Sequence, residues 1–188
     1  MLPLGTRAPF FSLRNVTNEK NQNLDELSGT DGTLIIFMCN HCPYVIHLLD
    51  HLILSIIDFS KKSISTIAIS SNNISTHPQD SPKEMKKMAL KKNFSFPYLF
   101  DESQEVAHSY QAACTPDFYL FDANKKLVYR GRYDDSRPGN NIPVSGNDLR
   151  KAADLMLLKR KPIAYQKPSI GCSIKWHSGN SLQSKIKN

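Results

Sequence analysis

Apolar residues recur along this chain with two periods, and the switches between them mark out its elements. The run TLIIFM (33–38) is short, wholly apolar, and bounded by Gly32 and a pair of cysteines. That pattern predicts a buried strand. From Tyr44 to Phe59 the spacing becomes helical. Val45, Leu48, Leu49, Leu52, Ile53, Ile56 and Phe59 share one face, while His47, His51, Asp58 and Lys62 lie on the other. ISTIAIS (64–70) predicts a second buried strand. In SPKEMKKMALKKN (81–93), Ser81 reads as an N-cap, Pro82 as the first helical residue and Glu84 as the acid of a capping box. YLFD (98–101) predicts a short strand, and SQEVAHSY (103–110) a short helix capped by Ser103. DFYLFD (117–122) and LVYRGRYD (127–134) predict a hairpin around ANKK. SGNDLRKAADLMLLKRK (145–161) predicts a last helix opened by Ser145 or Asn147. The first thirty residues read as irregular, with extended pieces near FFSL and a turn at SGTDG.

The resulting order, β-α-β-α-β-α-β-β-α, predicts an α/β domain over residues 1–161. Its sheet should be mixed, with parallel crossovers early, an antiparallel hairpin at the late edge, and helices on both faces. After Lys161 the character changes. Residues 162–188 hold prolines, few periodic positions and no acid. Ile163, Tyr165, Ile170, Cys172, Ile174 and Trp176 predict that the first half of this extension packs on the domain, and the last ten residues read as disordered.

With 40% hydrophobic and 22% charged residues, the chain falls in the globular class. Its net charge of +7 is not spread evenly. All 17 acidic residues lie at or before Asp154, whereas seven of the 24 basic ones (Lys159, Arg160, Lys161, Lys167, Lys175, Lys185, Lys187) follow it. The excess is read as a solvated tail rather than a nucleic-acid contact. No apolar run approaches the ~20 residues of a membrane span, and the first residues lack the pattern of an export signal. The expected setting is the reducing cytoplasm, with no nucleic-acid partner and no membrane span.

In that setting the chemistry centres on FMCNHCPYV (37–45). Cys39 and Cys42 stand three apart where a strand passes into a helix. A helix N-terminus presents unpaired N–H groups and the positive end of the dipole, which favours a thiolate. One thiol can then attack a disulfide and the other resolve the mixed disulfide. Pro43 suits a first helical turn, and His41 adds partial positive charge. By this reading Cys39, at the helix entry, is the more exposed and more acidic thiol. Zinc sites also use this spacing, but they favour a second cysteine pair, and Cys114 and Cys172 are isolated in sequence. His47 and His51, four apart, read as solvated side chains, and Cys172 as a packing residue rather than a mobile shuttle cysteine.

Three stretches together extend this picture: GTRAPFFSL, the strand–CNHCPYV–helix unit, and SYQAACTPDFYLFDANKKLVYRGRYDD. With them the chain resembles the thioredoxin-like superfamily, in its redoxin branch of peroxiredoxins and TlpA-type oxidoreductases. The resemblance implies that Cys39 is the nucleophile, that Cys42 resolves, and that Thr115–Pro116 is a cis bond lying against the sulfurs and turning the Thr115 backbone toward an extended substrate. It also exposes departures. Cys39 stands where peroxiredoxins have threonine, Cys42–Pro43 matches their peroxidatic Cys-Pro, and their arginine is missing near Thr115–Pro116, leaving Arg130 or Arg132 as substitutes. The expected function is thiol–disulfide exchange without a cofactor, on a protein or small-molecule disulfide, with an external thiol as reductant. The alternatives are a thiol peroxidase and a metal carrier using Cys39, Cys42 and a histidine.

Overall fold

A computed structural model of the protein describes residues 2–180. The N-terminal segment forms β1 (Ser12–Asn15), β2 (Asn21–Asn23) and the single turn α1 (Leu24–Leu27). The alternating core follows as β3 (Gly32–Phe37), α2 (Pro43–Lys61), β4 (Ile64–Ser70), α3 (Pro82–Lys91), β5 (Tyr98–Phe100) and α4 (Glu105–Ser109), with a 3-10 turn at Pro78–Asp80 before α3. Then come β6 (Cys114–Thr115), β7 (Asp117–Asp122), β8 (Leu127–Gly131), α5 (Asn147–Leu157) and β9 (Cys172–Ser173). Seven strands make one mixed sheet in the order β2-β1-β5-β4-β3-β7-β8, and β6 and β9 form a separate two-stranded sheet. β3 and β5 run parallel to β4, while β7, β8 and β1 join antiparallel.

β3 is buried along its whole length. Its side chains alternate between two cores, as period-two geometry requires. Leu34 and Ile36 face α2, α3 and α5, whereas Ile35 and Phe37 face α1, α4 and the N-terminal segment. α2 packs Val45, Leu48, Leu49, Leu52, Ile56 and Phe59 into the first core. Contrary to the sequence expectation, this one described helix is long and apolar enough to cross a membrane. Seven of its side chains are buried, whereas Ile46, Leu54 and Ile57 are exposed.

Several local expectations are corrected. Ser81 is the N-cap residue of α3 and Pro82 its first residue, as expected, but the Ser81 side chain makes no capping bond, so the Ser81–Glu84 box is not formed; a capping box is present at Asn23–Glu26. Gln104, not Ser103, is the N-cap of α4, and the buried Asp101 carboxylate accepts from the Val106 and Ala107 N–H groups at 3.4 and 2.9 Å. Gly146 is the N-cap of α5, between the two residues expected to open it. In the extension, Ile174 is buried and Trp176 stacks on His108 with ring centroids 4.5 Å apart, but Tyr165 and Ile170 are exposed. The disorder expected of the last ten residues falls, for 181–188, outside the described residues, while Asn180 bonds to His108 and Ser103.

Candidate redox site

Three chain segments meet at the C-terminal end of β3. Phe37 pairs with Asp117, so the strand that leads into Cys39 lies beside the first residue of β7, directly after Pro116. β4 runs parallel to β3 and delivers the polar loop 71–80 to the same end. The third segment is the C-terminal extension, because β9 pairs with β6 in the register Thr115↔Cys172 and Cys114↔Ser173. The Thr115–Pro116 bond is cis.

Both thiols are covered. Cys39 is 1% exposed and Cys42 0%, so the expected difference in exposure is not found. The helix begins at Pro43, which makes Cys42 the N-cap residue of α2 and leaves Cys39 three residues before that cap. The unpaired N–H groups of the first turn and the positive dipole end therefore lie beside Cys42.

The immediate partners of the two sulfurs differ in the same sense. The Cys39 thiol, the strongest influence, donates to Cys42, and together with the Cys172 thiol and backbone N–H and the Thr115 hydroxyl it lowers the Cys42 pKa to about 4 against the cost of burial. The Thr115 carbonyl, 3.1 Å from Cys42 Sγ, works the other way, since it can accept only from the protonated thiol. Cys39 is pushed up, by holding the proton shared with Cys42, by burial and by the nearby Asp80 charge, against one favourable contact with Thr115 Oγ1 at 3.4 Å. The N-cap position thus favours a thiolate at Cys42, whereas the proton shared with Cys42, burial and the Asp80 charge disfavour one at Cys39.

Asp80, which the sequence analysis did not single out, explains part of this. It is fully buried. Its carboxylate accepts from His41 Nδ1 (2.6 Å), Asn72 Nδ2 (2.8 Å) and the Asn40 backbone N–H (2.8 Å). An ionised carboxylate only accepts, so the His41 Nδ1 proton points at Asp80. His41 thus anchors the Cys39–Cys42 loop to the loop from β4. Its Nδ1 lies 3.9 Å from Cys39 Sγ, and its ring stacks on His77 at 5.1 Å. Among the described residues, Cys39, His41 and Asp80 each offer one ligand atom within 4.8 Å of the others and could hold a metal. The Asp80 oxygens are already engaged by the donors just named.

The remaining candidates sort clearly. Pro43 occupies the first turn of α2. Both arginines considered as substitutes for the one missing near Thr115–Pro116 are engaged by carboxylates. Arg130 lies 3.2 Å from Asp117 Oδ2 and donates to the Gln111 carbonyl at 2.7 Å, and Arg132 pairs with Asp148 at 2.7 Å and with Asp135. His51 Nδ1 lies 2.8 Å from the Tyr133 hydroxyl rather than facing solvent. Cys114 is held high, at about 12, chiefly by burial.

Comparison with known proteins places this geometry. The profile of the AhpC/TSA family matches residues 4–130. No curated protein matches the chain. An uncharacterised conserved protein from Geobacillus kaustophilus is 50% identical, with 94% of each chain covered and a TM-score of 0.92. Two more distant structures share the fold. The thioredoxin domain of a thiol-disulfide oxidoreductase from Bacteroides vulgatus is 17% identical over 80% of this chain and 98% of its own, with a TM-score of 0.59. The peroxidoxin BcpB from Mycobacterium tuberculosis is 17% identical over 83% and 96%, with a TM-score of 0.61.

Proposed function

Because the chain belongs to the AhpC/TSA family, a redoxin family, and carries a dithiol at the start of α2, we propose that this oxidoreductase catalyses thiol–disulfide exchange through Cys39 and Cys42, in the cytoplasm. The observation that carries the proposal is the N-cap position of Cys42 beside a second thiol. On that observation the proposal gives the attack to Cys42 and the resolution to Cys39, the opposite order to the one expected from the sequence. The Cys42 thiolate attacks one sulfur of a substrate disulfide, a Cys42–substrate bond forms, and the other substrate sulfur leaves as thiolate. Cys39 then gives up its proton and attacks Cys42 Sγ, which releases the second substrate thiolate and leaves a Cys39–Cys42 disulfide. Two electrons have moved to the substrate, and an external thiol restores the dithiol. The substrate is a small-molecule or protein disulfide; the Thr115 backbone expected to receive it is already paired with Cys172 of β9.

Trapping tests the roles. With a small-molecule disulfide, a Cys39→Ser/Cys172→Ser variant should accumulate a mixed disulfide on Cys42, and Cys42→Ser should react orders of magnitude more slowly. A trapped intermediate that forms on Cys39 in Cys42→Ser, and not on Cys42 in Cys39→Ser/Cys172→Ser, would restore the opposite order.

A thiol peroxidase is the second reading, favoured by the match of Cys42–Pro43 to the peroxidatic Cys-Pro. The site argues against efficient peroxide chemistry. Cys39 replaces the orienting threonine hydroxyl, and Arg130 and Arg132 are engaged by carboxylates. Preorganised groups of this kind each contribute about 2.7–4 kcal/mol to a transition state. Stopped-flow mixing with hydrogen peroxide should give a rate close to that of a free thiol, whereas a fast phase lost in Cys42→Ser and kept in Cys39→Ser would establish the peroxidase.

A further inference from the structure

Cys172 is separated from the dithiol by 130 residues of sequence, yet it stands at the dithiol's edge. Three independent features hold it there. The first is the β6–β9 ladder, which sets Cys172 opposite Thr115, the residue whose carbonyl lies 3.1 Å from Cys42 Sγ. The second is Gly171. A Cβ there would fall 2.0 Å from the Thr115 carbonyl oxygen and 2.6 Å from its carbon, so only glycine lets the segment lie this close to the cis bond. The third is a set of anchors on both sides. Ser169 Oγ lies 2.7 Å from Asp117 Oδ1, Ile174 is buried, and the Lys175 backbone exchanges hydrogen bonds with Asn73 N–H (2.7 Å) and Asn72 Oδ1 (2.9 Å). The extension therefore occupies the Thr115 backbone with its own strand, antiparallel and extended, and presents a thiol where an extended substrate would present its sulfur.

We propose that Cys172 is a third exchange cysteine, which takes Cys42 over from Cys39 and stores the oxidised state as a Cys42–Cys172 disulfide across the β6–β9 ladder. This deepens the dithiol-exchange reading and rests on it. In the step, the Cys172 thiolate attacks Cys42 Sγ of the Cys39–Cys42 disulfide. The Cys42–Cys172 bond forms, the Cys39–Cys42 bond breaks, and Cys39 leaves with the electron pair and takes up a proton equivalent to the one Cys172 released. There is no net oxidation, since the oxidant, a disulfide substrate, has already been consumed in making the first bond. The order of events has a physical basis. While Cys42 is a thiolate, burial and its hydrogen bond to Cys42 hold the Cys172 thiol up at about 11. Once Cys42 is tied into a disulfide, that hydrogen bond and negative charge are gone and Cys172 ionises more readily, with Lys175 nearby in its favour. The consequence is a pinned extension covering Thr115 and a freed Cys39.

The test is disulfide mapping on the full chain. Wild type, Cys39→Ser and Cys172→Ser are equilibrated with oxidised glutathione, quenched in acid, alkylated, digested without reduction and analysed by mass. Wild type should yield both the Cys39–Cys42 and the Cys42–Cys172 linkages. Cys172→Ser should yield only the first, and Cys39→Ser should shift wholly to the second, as a monomer on non-reducing electrophoresis. If wild type forms the Cys39–Cys42 disulfide and neither it nor Cys39→Ser links Cys172, the relay is wrong and the dithiol reading stands. If no variant forms the Cys39–Cys42 disulfide, the dithiol reading is wrong, and a Cys42–Cys172 link in Cys39→Ser then decides whether Cys172 is an exchange partner. A link from Cys172 to a second chain would also overturn the proposal.

Discussion

The two sulfurs of the site lie within hydrogen-bond reach of each other but in opposite surroundings. On the Cys39 side stands a buried carboxylate, Asp80, whose His41 partner points its proton away from the sulfur and toward that carboxylate. On the Cys42 side stand the N-terminus of a 19-residue helix and a strand edge with the Cys172 thiol and N–H. The residue spacing alone does not tell the two thiols apart; the helix N-cap and the buried anion do. In the proposed reaction the Cys39 proton steadies the Cys42 thiolate.

Removing the anion should disturb the comparison most. Asp80→Ala leaves His41 Nδ1, Asn72 Nδ2 and the Asn40 N–H without their acceptor, and each buried donor left unsatisfied costs about 1–3 kcal/mol. Urea denaturation should register that loss. Asp80→Asn should cost less and sharpen the contrast, because it keeps a hydrogen-bonding side chain but removes the charge that raises Cys39. In that variant Cys39 should ionise at lower pH than in wild type; an unchanged value would mean that Asp80 has no electrostatic part in the asymmetry.

The Cys42 side can be loosened through Gly171. In Gly171→Ala the new methyl meets backbone rather than a flexible side chain, so the extension must move off Thr115 at a cost of about 1–3 kcal/mol. Alkylation of Cys42 should accelerate while α2 and the sheet stay intact by circular dichroism. Unchanged Cys42 reactivity would show that the extension does not cover the thiolate.

Much of this architecture is legible in the sequence, and what is not has definable causes. The alternation of β3, α2, β4, α3 and the late hairpin follows from apolar periods that burial alone enforces. The cysteine spacing fixes the site at the strand-to-helix junction without saying where helical backbone angles begin; Pro43, favoured at the first helical position, is the signal that points to Cys42 as the cap. Asp80 arrives on a ten-residue polar loop with no periodicity, and its partners are backbone and side-chain donors that no pattern announces. The alternation of Ile170, Cys172 and Ile174 has the period of a strand, but pairing with Thr115 is a long-range contact, invisible until the fold brings both segments together.

A smaller effect is the dependence of stability on pH. Cys42 has a folded pKa lowered to about 4, against roughly 8.5 for a free thiol. Its contribution is complete above the unfolded value and is lost as pH falls through 8.5 toward about 4. Cys39 has a raised folded pKa, so its contribution is complete below the unfolded value and is lost as pH rises above it. The stability of reduced wild type, minus that of a Cys39→Ser/Cys42→Ser double variant, should therefore rise from acid toward a maximum near the free-thiol pKa and fall beyond it. A difference that does not vary with pH would break the charge assignment.

The most direct test of that assignment is an ultraviolet thiolate titration of the reduced wild type and the two single serine variants. An ionisation well below the free-thiol range should be present in wild type and in Cys39→Ser, whose serine hydroxyl can still donate to Cys42, and absent from Cys42→Ser. A low-pH ionisation that survives in Cys42→Ser and vanishes in Cys39→Ser would place the thiolate on Cys39 and contradict the account.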